Sequence, residues 1–290
     1  MQELLAPEFT VRVIVRDPAR LPGWIRQEVE VVRGSSDDPA TLRWALEGIE
    51  SLFWCVPPDC LENPGDCERY AKAAAQAISS AQTPRVVSIS AGRSGRAPHT
   101  SRIGRLQAME ETLTATGAAI RHLRSGWLMD NLLSQASFLR DHGRFYYPAP
   151  ALVPVPMTAL EDLVDASLRW LVRRDWSGAQ TMLVHGLEDL TLDRAAAVLE
   201  QVLERPIEYK EVTQNQLTEL LSSMGMEQQK VQHHSATLRE FTQMASLGNP
   251  CPQEPKTGLT LRTWAERLLA PLLCCGGGEH QWSSLAGCCR

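Results

Sequence analysis

Several features that would classify a protein at once are missing. No run of uncharged apolar residues is long enough to span a bilayer, and the mean hydropathy is −0.21, so a membrane helix is not expected. Positive charge is not in excess: the net charge is −5 and the isoelectric point about 5.8. That balance argues against a surface built for phosphate backbones, and no nucleic-acid partner is expected. The opening MQELLAPEFTVRV carries Glu3 and Glu8 but neither a basic leader nor an apolar core, so it does not read as a signal peptide, and a cytoplasmic location is expected. No glycine precedes Gly23, although a strand-like run begins within ten residues. Hydrophobic residues at 43% and charged residues at 22% fit a globular chain of 290 residues with a sizeable core.

The eight cysteines are not scarce, but their pattern lacks what a framework needs. With no secretion signal, a set of structural disulfides is a poor reading. Cys55 sits in an apolar run and reads as core, whereas Cys60 and Cys67 lie in a loop rich in Pro, Asn and Gly. The last seventeen residues, CCGGGEHQWSSLAGCCR, hold adjacent cysteines rather than C-x2-C knuckles, so no metal site is expected. Arg290 after Cys289 removes the terminal prenylation motif. The tail at 274–290 is expected to be disordered.

What is present is alternation. Thr10–Val15, Glu28–Val32, Leu52–Val56, Arg85–Ser90 and Ala119–Leu123 are β-rich runs. Asp37-Asp38-Pro39 caps a helix through Glu47, Cys67–Ala81 carries an apolar stripe of Tyr70, Ala74, Ala77 and Ile78, and Leu106–Thr116 ends at Gly117. Strand and helix alternating at this spacing predict βαβ units and an α/β fold, a doubly wound parallel Rossmann-type sheet. Beyond residue 150 helices dominate, at Asp162–Arg173, Thr191–Glu204, 213–246 and 259–273, with short strands at Met182–His185 and Ile207–Val212. The division expected is a Rossmann-like domain at 1–150, a smaller, mostly helical lobe at 151–273, and the tail.

The segments VRVIVRDPARLP, GIESLFWCVPPD, PRVVSIS, AAIRHLRSGWLMDNLL and FYYPAPALVPVPMTALEDLVDASLRWLV together resemble the NmrA-like family, atypical members of the short-chain dehydrogenase superfamily. The resemblance runs from residue 1 to about 273. It implies NADP as cofactor, rather than NAD, and a small carbonyl, quinone or imine-like acceptor reduced by hydride transfer. It also admits a non-catalytic, NADP-sensing regulator with a protein partner, and a homodimer. Relatives open with a strand, a glycine-rich loop and a helix that cradle the pyrophosphate. Here MQELLAPEF resembles the end of that helix, which leads us to expect an N-terminally incomplete domain, from a lost or mis-called start, and impaired cofactor binding. Gly92-Arg93-Ser94-Gly95 follows the wrong strand to replace the loop and reads as surface.

In that frame Arg16, at a strand end, either meets the 2′-phosphate of NADP or pairs with Asp17 or Asp37. Val56 and Pro57 either line the adenosine or form a plain strand-ending turn. Ser90 and Ala91 end the strand near the nicotinamide, and Ser90 either donates a hydrogen bond there or is an ordinary loop serine. Trp127, Met129 and Asn131 either wall the substrate pocket or pack the core; the family's Arg-Pro start to this segment is Arg124-Ser125 here. Asp162 reads as a helix cap. The Tyr-x-x-x-Lys pair of standard short-chain dehydrogenases is absent: four residues beyond Tyr70, Tyr146, Tyr147 and Tyr209 stand Ala74, Pro150, Ala151 and Thr213. The proton must come from another group or from water, and the catalytic residue is unassigned; the weak candidate is His99, in the loop after the Arg85–Ser90 strand.

Overall fold

The computed structural model describes residue 4 and residues 9–82, 85–93, 95–223, 236, 238–244 and 258–274. In chain order the elements are β1 (Arg12–Val15), α1 (Gly23–Glu28), β2 (Glu30–Arg33), α2 (Pro39–Ala45), β3 (Ser51–Trp54), α3 (Pro64–Ala81), β4 (Arg85–Ala91), α4 (Arg102–Thr114) and β5 (Ala119–Ser125). There follow β6 (Trp127–Leu128), α5 (Ala136–His142), β7 (Arg144–Tyr147), β8 (Val155–Thr158), α6 (Leu160–Val172), β9 (Ala179–Val184), β10 (Asp189–Leu190), α7 (Leu192–Leu203), β11 (Glu208–Glu211) and α8 (Gln214–Ser223). A last helical run covers Leu261–Trp264, a π turn at Ala265–Leu269, and Ala270–Cys274. The tail from 275 onward, the three prolines at 250, 252 and 255, and most of the opening nine residues lie outside the described residues.

Two units form, and they do not divide the chain sequentially. One comprises 1–125 and 163–184, the other 126–162 and 185–290. The chain crosses after β5, within α6 and after β9.

The first unit is the expected α/β fold, with every pairing parallel. Its strands form two sheets, β1–β2 and β3–β4–β5–β9. The helices start where the sequence places caps. Asp38 accepts from the Ala40 and Thr41 amides ahead of α2, Asn63 from Gly65 ahead of α3, and Ser101 from Gly104 ahead of α4. The first turns of α2 and α3 also carry proline, whose missing amide hydrogen has no partner to lose there. Tyr70, Ala74, Ala77 and Ile78 of α3 are buried, as their spacing predicts. Val86, Val87, Ile120 and Leu123 fill the middle of the sheet, so β4 and β5 carry its core. β1, by contrast, has no fully buried residue.

α1 is a difference from the sequence reading. Residues 23–28 coil into a short helix with Trp24 exposed, and β2 starts two residues later than expected. The second unit differs too, since two small sheets, β10–β8–β6 and β11–β7, accompany its helices. The Asp162 carboxylate, in the first turn of α6, accepts from the Leu259 amide at 2.9 Å. Among the described residues no helix is long and apolar enough to cross a membrane.

Candidate functional site

The parallel register sets which residues share an edge of the sheet. Trp54 pairs with Ser88, so Val56, two residues on, is level with Ser90; Ser90 in turn pairs with Arg124 and Ala91 with Ser125. Val56, Pro57, Ser90 and Ala91 therefore meet at the carboxyl ends of β3 and β4, the edge where open α/β sheets bind ligands. Arg16 stands at the carboxyl end of β1, in the other sheet of the same unit. It is exposed and unpaired among the described residues. Both acids proposed as its alternative partners are engaged elsewhere: Asp17 caps the Ala19 amide, and Asp37 holds Ser35 and Arg69. The Ser35 hydrogen bond, and then Arg69, keep the Asp37 carboxyl below its ordinary range.

Ser90 is the informative member. It is 1% exposed and its hydroxyl has no hydrogen-bond partner among the described residues. An unsatisfied buried hydroxyl costs about 1–3 kcal/mol, and such groups are rare enough to need an account.

The backbone around Ser90 is tightly held. The Ser90 carbonyl accepts from the Ser125 hydroxyl at 3.4 Å. Gly92, with φ +117°, donates to the Ser125 carbonyl at 3.0 Å, a conformation that favours glycine. Arg124 makes two bonds of 2.7 and 2.8 Å to the Glu110 carboxylate and a third of 2.8 Å to the Arg93 carbonyl. Gln107 bonds both the Ala97 amide and the Gly95 carbonyl. Of the stretch read as a surface loop, Gly92 is buried, Arg93 and Gly95 are half-buried, and Ser94 lies outside the described residues. His99, beyond it, is exposed in the turn before α4.

Trp127, Met129 and Asn131 belong to the second unit. Trp127 and Met129 are buried, and the indole meets the Tyr147 ring edge-on with centroids 5.3 Å apart. The indole N–H has no partner among the described residues. Asn131 is half-buried, and its carbonyl accepts from the Tyr147 and Ser134 hydroxyls. Burial pushes the Tyr147 hydroxyl far above its ordinary range, so it stays protonated.

Two polar clusters escaped the sequence reading. One is the buried Arg124–Glu110 pair. The other is a chain in which Ser88 Oγ lies 2.7 Å from His122 Nδ1 and Thr114 Oγ1 lies 2.9 Å from His122 Nε2. A signal did exist, because His122 and Arg124 interrupt an otherwise buried strand at core-like positions. Among the described residues no group of three or more His, Cys, Asp or Glu side chains could hold a metal ion. No connection between strand and helix among them carries three glycines.

The sequence profile of a family described as NAD(P)H-binding matches residues 1–145, the half of the chain that holds β1 to β5. The chain belongs to this NAD(P)H-binding family. It is 27% identical to an NAD(P)H azoreductase of Xenophilus azovorans, over 74% of this chain and 73% of that protein. It is 31% identical to a (4-alkanoyl-5-oxo-2,5-dihydrofuran-3-yl)methyl phosphate reductase of Streptomyces griseus, over 72% of this chain and 71% of that protein. Among solved structures, an NADPH-dependent quinone oxidoreductase of Escherichia coli in complex with NADPH superposes with a TM-score of 0.73 at 19% identity. That match covers 92% of this chain and 94% of the other, and it bears on the fold. The cofactor of this NAD(P)H-binding protein is therefore NAD(P)H, and the chain falls with NAD(P)H-binding oxidoreductases.

Proposed function

We propose that this NAD(P)H-binding protein is an NmrA-like, atypical short-chain reductase that passes hydride from NADPH to a small quinone, carbonyl or imine-like acceptor. The observation that carries the reading is the unpartnered, buried Ser90 hydroxyl at the carboxyl edge of the parallel sheet. A bound dinucleotide offers such a hydroxyl an acceptor. Arg16, unpaired among the described residues, offers its planar guanidinium to a 2′-phosphate, which favours NADP over NAD. Val56, Pro57 and Ala91 present short, mostly apolar surface at the same edge for the adenosine and the carboxamide ring. Trp127, Met129 and Asn131 are the substrate-side residues in this reading, acting on a small molecule. The names of the relatives, an azoreductase and a butenolide phosphate reductase, and of the quinone oxidoreductase among the structural neighbours support an acceptor with a conjugated, electron-poor double bond.

When bound, NADPH supplies the hydride; the chain orients it and shields it from water. The acceptor also takes one proton. With no Tyr-x-x-x-Lys pair, that proton is drawn from solvent, and the exposed His99 is the side chain proposed to relay it. The break between the β1–β2 and β3–β4–β5–β9 sheets falls, in this reading, where a glycine-loop strand runs in a complete Rossmann sheet. The pyrophosphate grip is accordingly weakened, and dinucleotide affinity with it.

The experiment is a fluorescence titration of the full chain with NADPH and with NADH, followed by NADPH consumption with a panel of quinones and azo dyes. Arg16→Ala is expected to weaken NADPH binding about 10- to 100-fold, the worth of one or two charge-assisted hydrogen bonds, and to leave NADH binding unchanged. No NADPH binding by the parent chain would overturn the reading. The missing Tyr-x-x-x-Lys pair favours one other reading, an NADP-sensing regulator that acts through a protein partner or as a homodimer. Binding without consumption across the whole panel would establish that alternative.

A further inference from the structure

α6 carries more apolar surface than its own fold covers. Its inner face is marked by the buried Leu163 and Ser167 and by Trp170, whose ring centroid lies 4.8 Å from the Arg121 guanidinium carbon of β5. Outside that face, Leu160, Val164 and Val172 are 45%, 41% and 41% exposed, and Leu168 between them is half-buried. At four-residue spacing these side chains drift by only about 40° per step around the helix, so they form one stripe. Leu4 stands beside it, lining a shallow hollow with Asp165, Leu168, Arg169 and Val172. Phe53 of β3, 47% exposed, is level with Val87 and through it with Arg121, so it points to the same side of the sheet as α6. Apolar surface gathered in this way, rather than scattered singly, marks an interaction site.

Charge says what fits against the stripe. Asp165 and Arg169 flank it, one helical turn apart; both are exposed and neither has an ion-pair partner among the described residues. Glu161 and Arg173, the next charges along, are already held by Arg267 and Asp175. An acid followed one turn later by a base is self-complementary. Turned end for end, a second α6 sets its Arg169 against this Asp165 and its Asp165 against this Arg169. The same reversal sets Val164 against Leu168 of the copy, and Leu160 against Val172. Apolar and charged pairs therefore fall into register around one two-fold axis near Ala166 and Ser167. A parallel copy would set acid against acid and base against base.

We propose that α6 is the self-association surface of this protein, and that its partner is a second copy of the chain packed antiparallel, α6 on α6. Each copy presents the same patch, so the contact is isologous and closes at two chains. One helix face per copy is a small interface, so the expected dimer is reversible and dilution separates it. Dinucleotide binding plays no part in the contact, and the dimer stands or falls apart from that reading.

The test is sedimentation velocity of the full chain over a range of concentrations. The parent is expected to pass from monomer to dimer as concentration rises. Asp165→Arg and Arg169→Asp each set like charges against each other twice, and each should weaken the dimer at least about tenfold. Mixing the two single variants should restore dimers, because both contacts then join opposite charges; a chain carrying both substitutions should dimerise like the parent. Val164→Asp, which puts a charge into the stripe, should leave monomers. These positions are exposed, so urea midpoints equal to the parent's separate lost association from lost folding. A parent that stays monomeric throughout, as it would if another part of the chain covers the stripe, overturns the proposal. So does an assembly larger than two, a dimer indifferent to both reversals, or a mixture of the single variants that does not recover.

Discussion

Gly126 offers a direct test of the packing around Trp127. A Cβ placed on it would stand 2.4 Å from the Pro156 carbonyl oxygen, 2.9 Å from the Pro156 carbonyl carbon and 2.8 Å from Thr158 Oγ1. Two of those atoms are backbone, on the strand that pairs β6 with its sheet, so no side chain can swing aside. Gly126→Ala must therefore push β6 from β8. Overpacking of this kind costs about 1–3 kcal/mol. It also stretches the Gly126 N–H bond to Thr158 Oγ1, now 2.9 Å and buried, worth about 1 kcal/mol. Reduced freedom of the unfolded chain returns about 0.4–1 kcal/mol. The net expectation is a loss of about 1–3 kcal/mol, read as a fall of about 1 M in the urea midpoint. Gly23→Ala is the matched control. Its Cβ meets nothing within 4 Å at the first residue of α1, so it should be neutral or stabilising by about 0.5 kcal/mol. Equal midpoints for the two variants would refute the claim that close backbone approach fixes glycine at 126.

Arg124→Met should cost about 3–5 kcal/mol, because it leaves the Glu110 carboxylate buried and unpaired. Adding Glu110→Leu should recover most of the loss, so a double-mutant cycle with additive single effects would contradict the pairing. Arg121→Met should cost about 2 kcal/mol by urea denaturation: its guanidinium lies 4.3 Å from the Trp176 centroid and 4.8 Å from that of Trp170, and it donates to the Gly178 carbonyl. Burial lowers the His122 pKa below its ordinary 6.5. The folded state therefore binds that proton less readily than the unfolded chain, so the contribution is full above pH 6.5 and is lost as pH falls from there through the lowered folded-state value. His122→Gln should flatten the fall in stability between neutral and mildly acidic pH, and an identical slope in parent and variant would sink the assignment.

Local chemistry was legible in the sequence, and long-range partnership was not. The Asp38-Pro39 cap, the α3 stripe and the order of β1 to β5 follow from residues within one helical turn or one strand, and the structure has them. The carboxyl-edge grouping of Val56, Pro57, Ser90 and Ala91 also followed, because parallel strands of known order fix it. α1 was missed because six residues with an exposed tryptophan show no apolar period. β6 and β10, two residues each, exist only through pairing with β8, a partner about thirty residues away in the chain. The Arg124–Glu110 and His122–Ser88 contacts span 14 and 34 residues. A sequence shows that such groups are polar and within a strand, but not what satisfies them.

That distinction bears on what the Arg124–Glu110 pair is for. At 11% and 6% exposure both charges are desolvated, and well-packed apolar residues often serve stability as well or better than such a pair. Stability alone therefore does not explain it. Its third bond does something an apolar substitute cannot: it fixes the Arg93 carbonyl, two residues beyond Ala91. Gln107 holds Ala97 and Gly95, and Gly92 is tied to Ser125, so Gly92, Arg93, Gly95 and Ala97 of the exit from β4 are each held by a hydrogen bond. The Ser90 hydroxyl beside this exit has no partner among the described residues, at a cost of about 1–3 kcal/mol. In the function proposed above, the dinucleotide supplies the acceptor for that hydroxyl at the carboxyl edge of the sheet.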